Sequence, residues 1–224
     1  MNRLFWVRHG ESEVNLTREF SCRLVDPPLT TKGVLQAQQT AEYLAGREIA
    51  VIYSSPLKRA VETARGIGDR IGVPAAPLEF FREIDVGELE RRPPTPENWA
   101  IFLGIVDAWK HGNYHVAFPG GEDYTTMLGR MKAGFNYLVA THPNQPVLVV
   151  GHGGSFSATI QSWCTDAAKA DGKPVDNCSI TEIEMERAGD EVRGKLVQWA
   201  SIRHLQGQAA QVVSGLPDEF YRRI

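Results

Sequence analysis

Near its N-terminus the chain reads Leu4-Phe5-Trp6-Val7-Arg8-His9-Gly10-Glu11, an apolar run that stops at a cation, an imidazole and a glycine. An apolar run without polar alternation fits a strand buried on both faces, the kind found in sheets covered by helices. In open α/β sheets ligands collect at the C-terminal edge of the strands, which is where this strand delivers Arg8 and His9. Gly10 lets backbone approach a ligand closely, and the polar segment that follows, containing Asn15, can offer N–H groups to an anion. A second run, Pro146-Val147-Leu148-Val149-Val150, ends in the same manner at Gly151-His152-Gly153. One histidine at a strand end is more often a structural, hydrogen-bonded residue than a reactive one. Two such ends on parallel strands bring two imidazoles to one crevice, and with Arg8 the combination suits phosphate.

The chain between these runs alternates strand and helix signals. Thr30 or Thr31 is an N-cap for a helix carrying Leu35, Ala37, Ala41, Leu44 and Ala45. Residues 49–54 form a second buried strand, punctuated by Ser54-Ser55-Pro56, with proline suited to a first helical turn. The helix beyond it places Leu57, Ala60, Val61, Ala64, Ile67 and Ile71 on one face. Leu78-Glu79-Phe80-Phe81 reads as a short strand or extended segment. A long helix runs from Glu122 to about His142, and another follows His152 through Trp163. A loop is expected at Asp171-Gly172-Lys173-Pro174, and residues 179–186 and 193–200, joined by a turn at Ala188-Gly189-Asp190-Glu191, form an antiparallel hairpin at a sheet edge. The tail from about 203 shows no pattern.

This order predicts a three-layer α/β sandwich with a mostly parallel central sheet flanked by helices, all in a single domain spanning 1–224. Residues 88–120 break the rhythm, with the rigid Arg91-Arg92-Pro93-Pro94-Thr95-Pro96 connector, an amphipathic helix from Trp99 to Trp109, and Tyr114 and Phe118 before Pro119-Gly120-Gly121. Two readings fit this insertion: a cap near the pocket, or a helical excursion on the surface.

The formal net charge of −3 lends no support to a nucleic-acid or membrane-surface binder. An anionic ligand must therefore be drawn by a local cluster of arginines. The three cysteines, Cys22, Cys164 and Cys178, lack metal-ligand spacing and fit a reducing compartment rather than a disulfide framework. No secretory leader pattern opens the chain and no apolar run approaches membrane-spanning length, so a cytoplasmic protein is expected. No carboxylate or thiol cluster surrounds His9 and His152, so no metal and no cofactor are expected. A further cation, Arg59, opens the helix after the second strand. There it opposes the helix dipole unless a bound anion offsets both.

Taken together, these segments resemble the histidine phosphatase superfamily, also called phosphoglycerate mutase-like. The resemblance rests on Arg8-His9-Gly10-Glu11 with Asn15; on Pro28-Leu29-Thr30 with Gly33 and Gln36-Ala37; and on Ser54-Ser55-Pro56-Leu57-Lys58-Arg59-Ala60 with Thr63-Ala64. It continues in Arg82-Glu83 with Gly87, Pro119-Gly120-Gly121-Glu122, Val150-Gly151-His152-Gly153-Gly154 and Asn177-Cys178-Ser179-Ile180-Thr181, all in the family's order. The resemblance implies that His9 is a nucleophile forming a phosphohistidine. It implies that Arg8, Arg59 and His152, with Asn15 as a neutral donor and Gly153 alongside, surround the phosphoryl oxygens without a metal. Glu83 is implied as the acid that protonates the leaving oxygen and then the base that activates water. Asp85 is a rival two residues on, more simply a loop carboxylate bonded to local backbone. Cys22 and Arg23 fall where the family often lines its pocket, although Ser21-Cys22-Arg23-Leu24-Val25 departs from the usual glycine-aromatic pattern. Arg23 either contacts substrate or faces solvent.

The resemblance implies hydrolysis of a small phosphorylated metabolite or transfer between hydroxyls of phosphoglycerate. After Glu83, mutases of the family carry tyrosine-glycine and a basic insertion. Here Ile84-Asp85-Val86-Gly87-Glu88-Leu89 is followed by an aromatic insertion, which favours a phosphatase, while Arg91 and Arg92 keep the mutase as the alternative. A non-catalytic phosphate-binding module is the third reading, and it would be expected to lose one of His9, Arg59, Glu83 or His152. Trp99, Phe102, Trp109, Tyr114 and Phe118 either line a pocket for the leaving group or form the insertion's own core. A monomer or a homodimer is compatible with the pattern.

Overall fold

The computed structural model describes residues 2–170, 173–189 and 191–213. Asp171 and Gly172 of the expected loop, Asp190 of the expected turn and the tail beyond 213 lie outside the described residues. In chain order the strands are β1 (Asn2–Arg8), β2 (Val51–Ser54), β3 (Ala75–Pro77), β4 (Pro146–Gly151), β5 (Cys164–Thr165), β6 (Ile180–Ala188) and β7 (Glu191–Ser201). The helices are α1 (Glu13–Thr17), α2 (Thr31–Leu44), α3 (Lys58–Ile71), α4 (Pro96–Lys110), α5 (Tyr124–Thr141) and α6 (Gly153–Trp163). The strands form one sheet in the order β3-β2-β4-β1-β6-β7-β5. β3, β2, β4 and β1 run parallel, while β6 pairs antiparallel with both β1 and β7. The hairpin forms the sheet edge, with only the two-residue β5 beyond it.

Helices cover both faces, as the continuous apolar character of β1 and β4 requires. Phe5, Val7, Leu148 and Val150 point to one side, against Ala41 and Leu44 of α2 and Ala60, Ala64 and Ile67 of α3. Leu4, Trp6, Val147 and Val149 point to the other, against α5 and α6 through Leu138, Phe135, Phe156 and Ile160. Trp6 is the centre of the second layer: it stacks on Phe156 at 4.2 Å and meets Phe81 edge-on at 5.6 Å. Each such pair adds roughly 0.5–1.5 kcal/mol beyond area burial. A Cβ on Gly151 would lie 2.2 Å from the Trp6 ring, so the strand before His152 accepts only glycine there. The imperfect alternation of β6 has a plain cause. Beside β1 its first residues, Ile180 and Thr181, are buried on opposite faces between the two helical layers, and only its far end reaches solvent.

The extended segment expected at 78–81 is corrected. The strand lies earlier, at Ala75–Pro77, and Glu79–Phe81 forms a 3₁₀ turn. Pro77 has no N–H to continue a ladder, and the tight turn drives Phe81 into full burial against Trp6 and Phe135. In the insertion, Thr95 caps α4 and Pro96 occupies its first turn. Trp99, Phe102, Trp109 and Phe118 pack on one another and on Phe20. They form a core for the insertion, and Tyr114 stacks on Tyr124 at its margin.

Candidate active site

The parallel register sets Arg8 opposite Gly151, so β1 and β4 deliver their next residues, His9 and His152, side by side. Their ring centroids are 5.2 Å apart, and both imidazoles are buried. The turn after β1 is held by a close crossing: Glu11 N–H donates to Gln36, Gly10 N–H donates to Thr63, and a Cβ on Gly33 would sit 2.0 Å from the Glu11 carbonyl oxygen. Thr30, whose hydroxyl accepts from Gly33 N–H, caps α2 at the same place, worth roughly 1 kcal/mol.

His9 Nδ1 lies 2.7 Å from the Gly10 carbonyl, which can only accept. Nδ1 therefore carries the proton and Nε2 presents a lone pair, which accepts from Arg59 Nε at 3.1 Å. Burial, then the charges of Arg59 and Arg8, hold the His9 pKa well below 6.5, with the Gly10 bond opposing. His152 is likewise held neutral, by burial and then by Arg59, His9, Arg8 and Arg130. Its Nε2 faces the Ser55 hydroxyl at 2.7 Å and its Nδ1 faces an Arg59 terminal nitrogen at 3.4 Å.

Arg59 is the hub of these contacts. It sits in the first turn of α3, whose leading N–H, from Lys58, donates to Asp26 at 2.7 Å. Its guanidinium touches His9 and His152, donates to the Ser21 hydroxyl at 2.7 Å and carbonyl at 3.0 Å, and stands 3.9 Å from Asp26. Burial lowers its pKa to about 10, against the pull of Glu83 and Asp26. Arg8 donates to the Val175 carbonyl at 2.6 Å, and a Cβ on Gly153 would lie 3.5 Å from its side chain. The Asn15 carbonyl oxygen accepts from Ser12 N–H and from Asn177, which also donates to the His9 carbonyl. Its amide nitrogen is thereby turned to the opposite side.

Glu83 places its carboxylate at the start of α6, accepting from Gly154 N–H at 3.1 Å, Ser155 N–H at 2.6 Å and its neighbour Ile84 N–H at 2.9 Å. A helix N-terminus favours such an anion. Asp85 behaves as a loop carboxylate, accepting from Gly87 N–H and pairing with Arg23 at 2.8 Å. Arg23 is otherwise well exposed. The Cys22 thiol is buried and faces Glu90 and Asp85, so in this arrangement its side chain turns away from solvent. Burial, above all, raises its pKa. Next to these residues lies a cleft of about 540 Å³, bounded by Arg23, Arg82, Glu83, Asp85, Ala117 and Arg130. Every arginine bordering it is already paired: Arg23 with Asp85, Arg82 with Glu79 and Arg130 with Glu122.

A buried Arg59, a half-buried Arg8 and two neutral imidazoles around the His9 Nε2 lone pair, with the Glu83 carboxylate nearby, form a setting suited to phosphoryl chemistry. The profile of the histidine phosphatase superfamily (branch 1) matches residues 4–197. The chain belongs to the histidine phosphatase superfamily. Among its relatives, a probable phosphoglycerate mutase GpmB of Proteus mirabilis is 30% identical over 210 residues, 92% of this chain and 95% of that protein. The uncharacterized phosphatase PhoE of Bacillus subtilis is 27% identical, over 82% of this chain and 89% of its own length. Among solved structures, a mycobacterial glucosyl-3-phosphoglycerate phosphatase complexed with VO3 superposes with a TM-score of 0.73 at 27% identity, covering 90% of this chain and all of that one.

Four residues that the structure brings to or beside this cluster carry no role in the sequence reading: Ser21, Ser55, Asn177 and Glu90. Ser55 and Asn177 lie inside recognisable blocks, so their signal is their neighbours. Ser21 and Glu90 have none, because their contacts depend on a loop folding back. Among the described residues no three His, Cys, Asp or Glu side chains cluster as metal ligands, and no helix is long and apolar enough to cross a membrane.

Proposed function

We propose that this histidine phosphatase hydrolyses a small phosphomonoester through a phosphohistidine at His9 Nε2. The observation that carries the reading is the fixed tautomer: Gly10 holds the proton on Nδ1, and burial beside Arg59 and Arg8 keeps the ring neutral, so Nε2 has an available electron pair. In the first step this pair bonds to phosphorus opposite the ester oxygen, the P–O bond breaks, and the departing alcohol takes a proton from the Glu83 carboxylic acid, leaving the carboxylate that the Gly154, Ser155 and Ile84 N–H groups hold. Arg59, Arg8, His152 and Asn15 hold the three equatorial oxygens, with the Arg59 Nε–H passing from His9 to an oxygen. In the second step Glu83 takes a proton from water, whose oxygen displaces Nε2 from phosphorus and releases inorganic phosphate. The cations of the site offset the charge, so turnover is expected in excess chelator.

Phosphatase is favoured over mutase by the paired arginines at the cleft. A phosphoglycerate mutase must bind a substrate carboxylate, and each arginine there already has a carboxylate partner. The mutase reading keeps its own support in the near full-length similarity to GpmB. Incubation with para-nitrophenyl phosphate in excess chelator tests the proposal. Release of nitrophenol that His9→Ala abolishes, with acid-labile, base-stable phosphate trapped on the wild type, is the expected result. Conversion of 3-phosphoglycerate to 2-phosphoglycerate without net phosphate release would establish the mutase instead. Absence of turnover on any phosphomonoester would sink both.

A further inference from the structure

Glu90 is an acid in a charged stretch, Glu88-Leu89-Glu90-Arg91-Arg92, yet its side chain is buried. One of its carboxylate oxygens accepts four consecutive backbone N–H groups: Cys22 at 2.6 Å, Arg23 at 2.7 Å, Leu24 at 2.9 Å and Val25 at 3.1 Å. The other oxygen takes the Cys22 thiol at 3.3 Å. Burial alone would raise the pKa of this carboxyl, but the N–H donors of Arg23, Cys22 and Val25 outweigh it and hold it below the ordinary range. A loop whose amides converge on one point is an anion nest, and here the anion is supplied by the protein itself.

The same loop grips the catalytic hub. The Ser21 hydroxyl closes the turn by donating to the Val25 carbonyl, and it accepts from Arg59. The Ser21 carbonyl takes a second Arg59 donor. With those two contacts made, Arg59 aims its Nε–H at His9 Nε2 and its remaining donors at His152. Arg82 adds a bond to the Cys22 carbonyl, but only Glu90 reaches all four amides.

We infer that Glu90 is a positioning residue: by folding residues 22–25 around its carboxylate it fixes Ser21, and through Ser21 the direction in which Arg59 meets the reacting nitrogen. The inference rests on the reading of Arg59 as a phosphoryl clamp. Glu90→Gln keeps the shape and removes the charge that four N–H dipoles converge upon. Losing one whole donor of this kind costs about 10²–10³-fold in rate, so a misdirected one is expected to cost about 10-fold or more. The loss falls on kcat, because the clamp acts on charge that develops in the transition state, while KM moves by less than about 3-fold.

Two readouts separate this from a merely structural role. One is the kcat and KM of Glu90→Gln, Ser21→Ala and the double variant on para-nitrophenyl phosphate, below the melting temperature of each. Residues acting along one path give a double variant no slower than the worse single one. The other is nitrogen-15 NMR of the Arg59 Nε–H, sheltered from solvent exchange in the wild type and released to it in Glu90→Gln. Wild-type kcat in Glu90→Gln with the Arg59 signal still sheltered would overturn the inference, as would multiplicative losses in the double variant. Should Glu90→Gln fail to fold, exchange of the Cys22–Val25 amides in the wild type decides: protection supports the tether and rapid exchange refutes it. A wild type that turns over no phosphomonoester would refute the hydrolase reading, while the NMR arm still judges the role of Glu90.

Discussion

The two neutral histidines at the sheet edge tie stability to pH. An unfolded histidine titrates near 6.5, whereas His9 and His152 are held well below that value in the native protein. Between those values the unfolded chain binds a proton that the folded one refuses, so stability falls as pH falls, and it is fully recovered above 6.5. If the native rings stay neutral throughout, each contributes RT ln(1 + 10^(6.5 − pH)), about 0.2 kcal/mol at about pH 7 and about 2 kcal/mol at about pH 5. The pair therefore removes at most roughly 4 kcal/mol over that interval, set against a typical total of about 5–15 kcal/mol. His204, lowered to about 4 mainly by burial, adds to the same trend. Glu90, whose pKa is depressed, loses its contribution as pH falls from the ordinary carboxylate range downwards, at the lower margin of this window and beyond it. Asp176, raised by burial, acts in the opposite sense. Urea unfolding at the two pH values, without phosphate, measures the difference. His152→Asn should reduce the pH-dependent loss by about 2 kcal/mol while keeping a donor toward Ser55. An unfolding free energy equal at both pH values, or a loss unchanged in the variant, would refute neutral burial of these rings.

Two further substitutions separate roles that lie close together in the chain. Glu83→Gln should lower kcat by about 10²–10⁴-fold on an alkyl phosphate, the usual scale for a lost general acid, and by much less on para-nitrophenyl phosphate, whose leaving group needs little protonation. Asp85→Asn should stay within about 10-fold on both, because its carboxylate serves the Arg23 pair and Gly87 N–H; the opposite ranking would exchange the two roles. Gly151→Ala pushes a methyl into the Trp6 ring and should destabilise by about 1–3 kcal/mol, read as a lowered thermal midpoint. An unchanged midpoint would mean that Trp6 has room to turn.

The layered α/β order was legible because its signals are local. Leu4–Val7 and Val147–Val150 are apolar without alternation, and Ala60, Ala64 and Ile67 mark one face of α3. The local pattern Leu78-Glu79-Phe80-Phe81 is compatible with a strand as well as with the 3₁₀ turn that forms. Only the packing of Phe81 under Trp6 distinguishes a tight turn there. The site divides in the same way. His9, Arg59 and His152 stand at the ends or starts of regular elements, so a strand pattern and a helix pattern locate them. Asp85 fitted its local reading because its bond to Gly87 lies within the turn. Glu90 and Ser21 are separated by the whole of α2, β2, α3 and β3, and nothing near either residue announces the other.

That difference decides where specificity can be sought. In the proposed reaction the phosphoryl end of the site is built from strand ends and one helix start, parts that a fold of this kind supplies together. The proposed leaving-group end is bordered by three ion pairs, of which Arg23 with Asp85 joins distant segments while Arg82 with Glu79 and Arg130 with Glu122 are close in the chain. A substrate whose leaving group carries a carboxylate must break one of these pairs to gain an arginine. The pairs differ in cost: Arg23 is largely exposed, and exposed pairs are worth about 0–1 kcal/mol, whereas the Arg130 pair is mostly buried and also holds the backbone of residues 80–83. Arg23 is therefore the cation that can be recruited at least cost. Asp85→Asn, by releasing it, should raise kcat/KM for carboxylate-bearing phosphomonoesters relative to neutral ones by about 5-fold or more. If the ratio stays fixed, Arg23 does not face the leaving group, and the discrimination lies elsewhere in the cleft.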